Sequence, residues 1–534
     1  MTSVEITDST QSLPKTMSPE NDNNIKDTTG AIVPLKKRRG LLSFMCLIPE
    51  QVDPNTYSKR SQVTIIFAIA FGAIIGPMGS TIFLPAMESV LADIGHNNPS
   101  AKGLVNISYG LYTLSLGVFP LWWSNASEIF GRRSIYIVSF SIFLGFVIAA
   151  SRSSSIGMLM AFRILSGLGA SAIQSVGAGT VSDMVPPTKR GVAMGYFYLG
   201  PMVGPLIGPI VGGAVVQKWG WRSTQWFLAI ASVVMLAMVI FFVPETLQEI
   251  AAPTSSSPNN LTEILNENTE KDDAVTTEAI LSNTAPGLLA LEIFNSAKLS
   301  QKAFIMFFKP LKTLKFLTYP PVILAVIYNG YCCFCLFFLE VSLESLYTAA
   351  PYRLSSILIG LTYLPLTIGY IISSILSGRY SDKVVRRVKA ANNGIFIPES
   401  RFAANVFFGA ILYPLSLIFY GWTAQYRLFW VVPLIASFLF GISSIIIMSS
   451  CITYMVDTLP GRGSSGVAIN NLVRMTLAAT ATFIFQPMRQ SPLGFGWLYT
   501  LWGLLGLLLI VLILSIRKWG NKWRTETDFK KLYN

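Results

Sequence analysis

Four ionisable residues of this chain sit where ionisation is expensive. Arg163, Glu340 and Arg474 fall inside apolar runs of bilayer-spanning length, and Glu344 lies at the rim of one. A charge at the centre of a bilayer costs about 2.5–3.5 kcal/mol on insertion scales, so such residues face a protein interior or a water-filled cavity and mark proton or substrate paths. Asn329, Glu340 and Glu344 fall close to one helical face. Glu340 is a candidate for binding a cationic substrate or exchanging a proton; the alternative is that both carboxylates are solvated at the outer surface. Arg163, Gly167, Ala170 and Gln174 share one face, with Arg163 about 10 Å inside the outer end of its run. The competing reading is that its guanidinium snorkels to the outer headgroups. Asn470 and Arg474 are four residues apart. Arg474 could anchor an anionic substrate group or a carboxylate, or pair structurally with a backbone carbonyl. Gln174, Tyr112, Asn329, Asn470 and Arg474 are the candidate substrate-pocket residues.

These residues need membrane-spanning elements to hold them. The 534-residue chain is 52% hydrophobic and only 13% charged, against about 25% charged for a soluble domain. Apolar runs of about 20 residues, the length a spanning helix needs, recur at roughly 63–86, 103–123, 134–150, 156–180, 192–216, 224–243, 321–343, 355–377, 403–421, 428–454, 465–487 and 494–516. The expected fold is therefore an all-α membrane protein with 12 transmembrane helices.

Charge placement supports that count. Of the 40 Lys and Arg, those falling in outside segments are Lys102, Arg152, Lys218, Arg222, Arg353, Arg427 and Arg489 when the N-terminus is put in the cytosol. That bias favours cytosolic N- and C-termini, and it explains the net charge of +13 without a nucleic-acid partner. The expected organisation is a disordered cytosolic tail with a basic juxtamembrane segment (1–60), a six-helix bundle (61–243), a cytosolic linker (244–318), a second six-helix bundle (319–516) and a cytosolic tail (517–534). Within the linker, the basic stretch Lys298–Lys315 reads as a helix on the inner leaflet.

No cofactor or metal is expected. His96 is the only histidine, and the C-x-x-C spacing at Cys332–Cys335 lies inside an apolar run with no second pair. These features argue against an enzyme.

Three patterns carry the functional reading. After span 2 comes Ser124-Asn-Ala-Ser-Glu128-Ile-Phe-Gly131-Arg132-Arg133, and after span 8 Gly378-Arg-Tyr-Ser-Asp382-Lys383-Val-Val-Arg386-Arg387. Span 4 ends in Val-Ser-Asp183-Met-Val-Pro186 and span 10 in Met-Val-Asp457-Thr-Leu-Pro460. Matched signals in corresponding spans indicate an internal repeat, which in transporters means two bundles with a substrate site near the midplane. Span 5 reads Gly195-Tyr-Phe-Tyr-Leu-Gly200-Pro201-Met-Val-Gly204-Pro205-Leu-Ile-Gly208-Pro209-Ile-Val-Gly212-Gly213. Glycine at every fourth residue permits close helix approach, and each proline bends the helix.

The loop after span 2 resembles the major facilitator signature, with Ser124, Glu128 and Ile129 standing where that family has Gly, Asp and Arg. Span 5 resembles the antiporter motif of drug exporters in its extended fungal form. Trp221-Arg222, Pro244-Glu245-Thr246, Asn470-Asn-Leu-Val-Arg474 and Leu84-Pro85-Ala86-Met87 fit the same family, nearest its quinidine-resistance and dityrosine-exporter branch. The resemblance implies the major facilitator fold and proton-coupled export of small organic molecules (drugs, organic cations, polyamines or dityrosine-like metabolites) by alternating access. It assigns Arg163 to proton coupling beside Glu340. It also assigns Glu128, Gly131, Arg132, Arg133, Asp183, Gly378, Asp382, Lys383, Arg386, Arg387 and Asp457 to a cytoplasmic gate whose ion pairs latch the bundles. The implied partners are a small-molecule substrate, protons and the lipid bilayer, for a monomer in the plasma membrane or a specialised developmental membrane. The alternatives are a nutrient symporter or facilitator, and a transporter-like membrane sensor.

Overall fold

The computed structural model describes residues 32–95, 99–185, 190–247, 309–392, 397–458 and 463–526. Apart from one bridge between Ile32 and Gln51, its regular structure is helical. Among the described residues, twelve long helices follow the expected order: α1 Lys59–Thr81, α2 Pro99–Val118, α3 Arg132–Ser151, α4 Ile156–Met184, α5 Arg190–Trp219, α6 Arg222–Phe242, α7 Pro320–Thr348, α8 Leu364–Ala391, α9 Ala404–Gln425, α10 Val431–Thr458, α11 Gly463–Arg489 and α12 Gly494–Leu508. Among the described residues, eleven spans are long and apolar enough to cross a bilayer; α5, not among them, carries three internal prolines.

Helix starts have local causes. Ser58 caps α1 by accepting from Ser61 N, and Ser155 caps α4 by accepting from Met158 N. Prolines stand at the first turn of α7, where a missing N–H costs nothing.

Several boundaries differ from the sequence expectation. The first span breaks after Thr81 and resumes as Met87–Ile94. The second continues as Pro120–Phe130, and the last continues as Ile510–Glu526, so the chain beyond 517 is not simply a tail. Residues 32–58 are likewise placed rather than free, against the expected disordered tail. The acidic linker and the Lys298 end of the basic stretch lie outside the described residues, as do His96, Pro186 and Pro460.

The packing repeats with a period of six helices. In the first half α1 packs on α5, α2 on α4, and α3 on both α4 and α6; in the second, α7 packs on α11, α8 on α10, and α9 on both α10 and α12. The halves meet through α2 against α11 and through α5 against the short helix Ser356–Leu361 that precedes α8. Burial follows from this arrangement. In the most apolar stretch of α7, 83% is buried; for the span beginning at Gly494 the figure is 28%. The outermost helices present residues such as Ile230, Phe408 and Leu504 outward, as lipid contact requires.

The two ends of the molecule differ. One buried core joins Phe83, Val90, Val105, Tyr109, Leu159 and Trp221 of the first half to the second half. All six lie toward the end opposite Arg132 and Arg133. The first half also keeps a separate core of its own residues, which includes Ile135, Tyr136 and Val243 near the basic end. The halves are thus packed together at one end, over a cavity between them.

Candidate functional site

That cavity has a volume of about 130 Å³ and takes its walls from both halves: α1, α2, α4 and α5 on one side, α7, α8, α10 and α11 on the other. Most of the wall is apolar (Leu116, Leu336, Phe337, Ile445, Met448, Met475), with Gln174, Glu340, Asn471 and Arg474 as its amide and charged groups. Glu340 is 3% exposed, which rules out a carboxylate solvated at the outer surface. It accepts a hydrogen bond from Tyr109 Oη at 2.9 Å, across the interface between halves. Glu344 is also buried, with Thr348 Oγ1 donating to it at 3.3 Å, but it stands outside the cavity wall.

Arg163 is 1% exposed and faces inward, so it does not snorkel. Its guanidinium lies 4.0 Å from the Phe83 ring centre and 4.9 Å from that of Tyr112, and it donates to Gly79 O at 3.4 Å. Two aromatic faces stand in for a carboxylate, each worth up to about 2 kcal/mol when desolvated. Tyr112 is committed to this role and to donating to Gly76 O at 2.9 Å, so it does not reach the cavity.

The candidate pocket residues of α7 and α11 separate into two groups. Asn329 Nδ2 donates to Asn470 Oδ1 at 2.7 Å, a buried amide pair joining α7 to α11 outside the cavity wall. Arg474 does not pair with Asn470; it donates to Asn471 Oδ1 at 3.2 Å, and both line the cavity. Gln174 lines it as expected.

The glycines and prolines of α5 serve different neighbours. A Cβ at Gly200, Gly204 or Gly212 would come within 2.6 Å of a backbone oxygen of Ala70, Ile74 or Ile82, and one at Gly208 would strike Thr81 Oγ1 at 2.2 Å. This stripe packs within the first half, on the α1 side. Gly213 faces the other half, where a Cβ would lie 2.3 Å from Ser356 O, and Gly360 is as close to Pro209 O. Pro201 and Pro205 line the cavity, and each frees the helix carbonyl four residues earlier. Gly195 lies on the same helix, with its surroundings outside the described residues.

At the basic end, Arg132 pairs with Asp183 at 3.2 Å and donates to Ser127 Oγ at 2.5 Å. The second half repeats this with Arg401, which pairs with Asp457 at 2.9 Å and donates to Ser381 Oγ at 3.1 Å. Both ion pairs tie helices within one half. Lys383, Arg386 and Arg387 are exposed on the last turns of α8, and Glu128 is exposed near the end of Pro120–Phe130. The side chain of Asp382 lies outside the described residues.

Comparison with known proteins accounts for this architecture. The Major Facilitator Superfamily model matches residues 69–482. The chain belongs to that superfamily. It is 34% identical to the MFS antiporter QDR3 of Candida albicans, over 94% of this chain and 84% of the relative. It is 31% identical to quinidine resistance protein 3 of Saccharomyces cerevisiae, over 94% and 89%. Among solved structures, a D-xylose-proton symporter superposes with a TM-score of 0.60 at 13% identity, covering 84% of this chain and 97% of that one. The human organic anion transporter MFSD10 gives 0.55 at 14%, covering 85% and 99%. These structural likenesses establish the major facilitator fold, and the sequence relatives place the chain in the quinidine-resistance branch of the superfamily.

In this major facilitator chain, a polar hub at the basic end centres on Glu245. Glu245, 3% exposed, accepts from the backbone N–H groups of Arg132 (2.9 Å), Arg133 (3.2 Å), Thr246 (3.0 Å) and Leu247 (3.0 Å). It sits at the N-terminus of α3, where a carboxylate complements the helix dipole. Gly131 makes room for it: φ is +88°, and a Cβ would lie 2.4 Å from Glu245 Oε2. Burial nevertheless pushes the Glu245 carboxyl above its ordinary value. Arg133 is fully buried and binds carbonyls of two segments: Leu41 and Leu42 of the N-terminal strap, and Val239, Ile240 and Val243 at the end of α6. Arg39 pairs with Glu50 at 2.8 Å and donates to Leu247 O at 2.9 Å, completing the strap. Gly131, Arg132 and Arg133 thus come together with Asp183 as brace and anchor.

Proposed function

We propose that this transporter exports small organic molecules in exchange for protons by alternating access. The observation that carries the reading is Glu340. It is a buried acid on the wall of the inter-half cavity, it forms no ion pair among the described residues, and it is held by a phenol of the opposite half. Charge on such a group is costly unless a cation neutralises it, so a proton and a cationic substrate compete for the same site. When Glu340 gives up its proton, a substrate cation can take its place. When the proton returns, the substrate is released. Arg163, held by aromatic faces rather than an acid, contributes a fixed positive field behind α1 and couples to the exchange through position rather than by titrating.

The basic end is read as cytosolic by the positive-inside rule, which makes the described conformation closed to the outside. The plasma membrane and a monomeric carrier are the settings this reading assumes. Similarity to one relative named as an antiporter and to another named for quinidine resistance supports drug-like or metabolite substrates. The test is purified protein in liposomes enclosing a pH-sensitive dye, with a panel of organic cations, weak acids and amphoteric compounds. Substrate-dependent proton movement is expected. Substrate movement indifferent to the proton gradient would reduce the protein to a facilitator.

A further inference from the structure

The cavity holds two charges of opposite sign, and neither is compensated by an ion pair among the described residues. Glu340 stands at one level of α7. Arg474 stands at another: its Cα faces Gly330, where a Cβ would lie 3.8 Å from it. Gly330 and Glu340 are ten residues apart on one helix, which is about 15 Å along the axis. The wall between them is Leu336, Phe337, Cys333 and, across the cavity, Met475 and Leu116. Arg474 gives one nitrogen to Asn471 Oδ1, and its buried Nε has no partner. Asn471 lines the cavity beside it and, with its oxygen turned to the guanidinium, offers its amide N–H groups as further donors.

We infer that Arg474 and Asn471 form a carboxylate subsite, so that the transported molecule is amphoteric: an anionic group on Arg474, an apolar midsection, and a basic group directed at Glu340. The inference rests on the export reading and adds the substrate class to it. The physical reason is closure. A carrier must occlude its cavity between its two open forms, and occlusion strips water from whatever charge lines it. A guanidinium left without an anion in a dry site is costly, and a planar carboxylate matches its fork of donors. A purely cationic substrate would satisfy Glu340 and leave Arg474 uncompensated. An amphoteric one satisfies both ends at once.

The test is calorimetric binding to the full chain in lipid nanodiscs, with the tripeptide Phe-Ala-Phe as probe, whose extended length is about 10 Å. Three forms are compared: free ends, amidated C-terminus, acetylated N-terminus. The free form is expected to bind about tenfold or more tighter than the amide, the range of a charge-assisted hydrogen bond. Arg474→Gln should abolish that preference, and Asn471→Ala should reduce it. Equal binding of acid and amide to the unaltered protein overturns the subsite, and that comparison needs no variant to fold. Loss of both forms in equal measure in Arg474→Gln overturns it as well, as does failure of the free form to bind at millimolar concentration. The two readings separate cleanly in liposomes. Proton flux driven equally by acid and amide keeps export and rejects the subsite; preferential binding of the acid without proton flux keeps the subsite and rejects proton-coupled export.

Discussion

Tyr109 and Glu340 lie 231 positions apart in the sequence and in opposite halves of the molecule, yet the phenol of one donates to the carboxyl of the other at 2.9 Å. The Tyr109 ring also packs 6.0 Å from Phe337, one turn before Glu340. The proposed proton site and a contact that holds the halves together are therefore one. Tyr109→Phe keeps the ring and removes the donor. It should weaken closure by about 1–3 kcal/mol, raising the outward-open population about tenfold or more. Native Cys333, which lines the cavity, is the reporter: it should react faster with an impermeant maleimide supplied from outside. An unchanged labelling rate would mean that the bond does not hold the halves.

Close packing between the halves also rests on α2. A Cβ at Gly110 would lie 2.0 Å from Thr482 Oγ1, and one at Gly117 would lie 2.3 Å from Met475 Cβ. Gly117→Val should disfavour the described conformation by about 1–3 kcal/mol through overpacking. The expected signs are a lower transport rate and raised Cys333 labelling from outside, with the protein still inserted and monodisperse.

Glu245 gathers four backbone N–H groups in a buried site. Glu245→Ala should cost at least about 2 kcal/mol, because buried donors lose their acceptor. Measured as thermal unfolding in detergent, Glu245→Gln should fall between the alanine variant and the unaltered protein. The pH dependence has a definite sign. Burial raises this carboxyl in the folded protein, so the folded state takes up its proton at a higher pH than the unfolded chain. The unaltered protein should therefore gain stability relative to Glu245→Gln as pH falls from neutrality toward the ordinary carboxylate range.

The repeat predicts equal behaviour at two ion pairs. Arg132→Ala and Arg401→Ala should each lower stability by about 1.5–3 kcal/mol, and combining Arg401→Ala with Asp457→Ala should be much less than additive. Additive losses would show that the 2.9 Å contact contributes nothing.

The parts of this structure legible in the sequence are those governed by hydropathy and by local motif. Twelve helices, their two-fold grouping and the inward placement of Arg163 follow from the cost of polar groups in lipid. The glycine stripe of α5 was legible as close packing, though not that its neighbour is α1. What the sequence hid depends on long-range pairing. Arg401 is the second-half counterpart of Arg132, but it follows the repeated motif by more than a dozen residues, behind an extension of α8 that the first half lacks. The one-turn spacing of Asn470 and Arg474 suggests a local pair, whereas the partner of Asn470 is Asn329 on another helix. The strap at 32–58 has too little apolar periodicity to announce order; it is placed by Arg133 and Glu50, neither of which signals that role locally.

The strap gives its own prediction. Arg133→Lys keeps the charge but cannot reach carbonyls of Leu41, Leu42, Val239 and Ile240 together. Limited proteolysis should then cut within 32–58 at least several times faster than in the unaltered protein, with the helical core left intact.

In the proposed mechanism Glu340 couples substrate movement to protons. The most direct measurement compares Glu340→Gln with the unaltered protein in liposomes, following a radiolabelled substrate in two regimes. Exchange between equal concentrations on both sides, with no proton gradient, should persist in the variant. Uphill accumulation driven by a proton gradient should be lost. Gradient-driven accumulation that survives Glu340→Gln would contradict the account and place the coupling proton on another group.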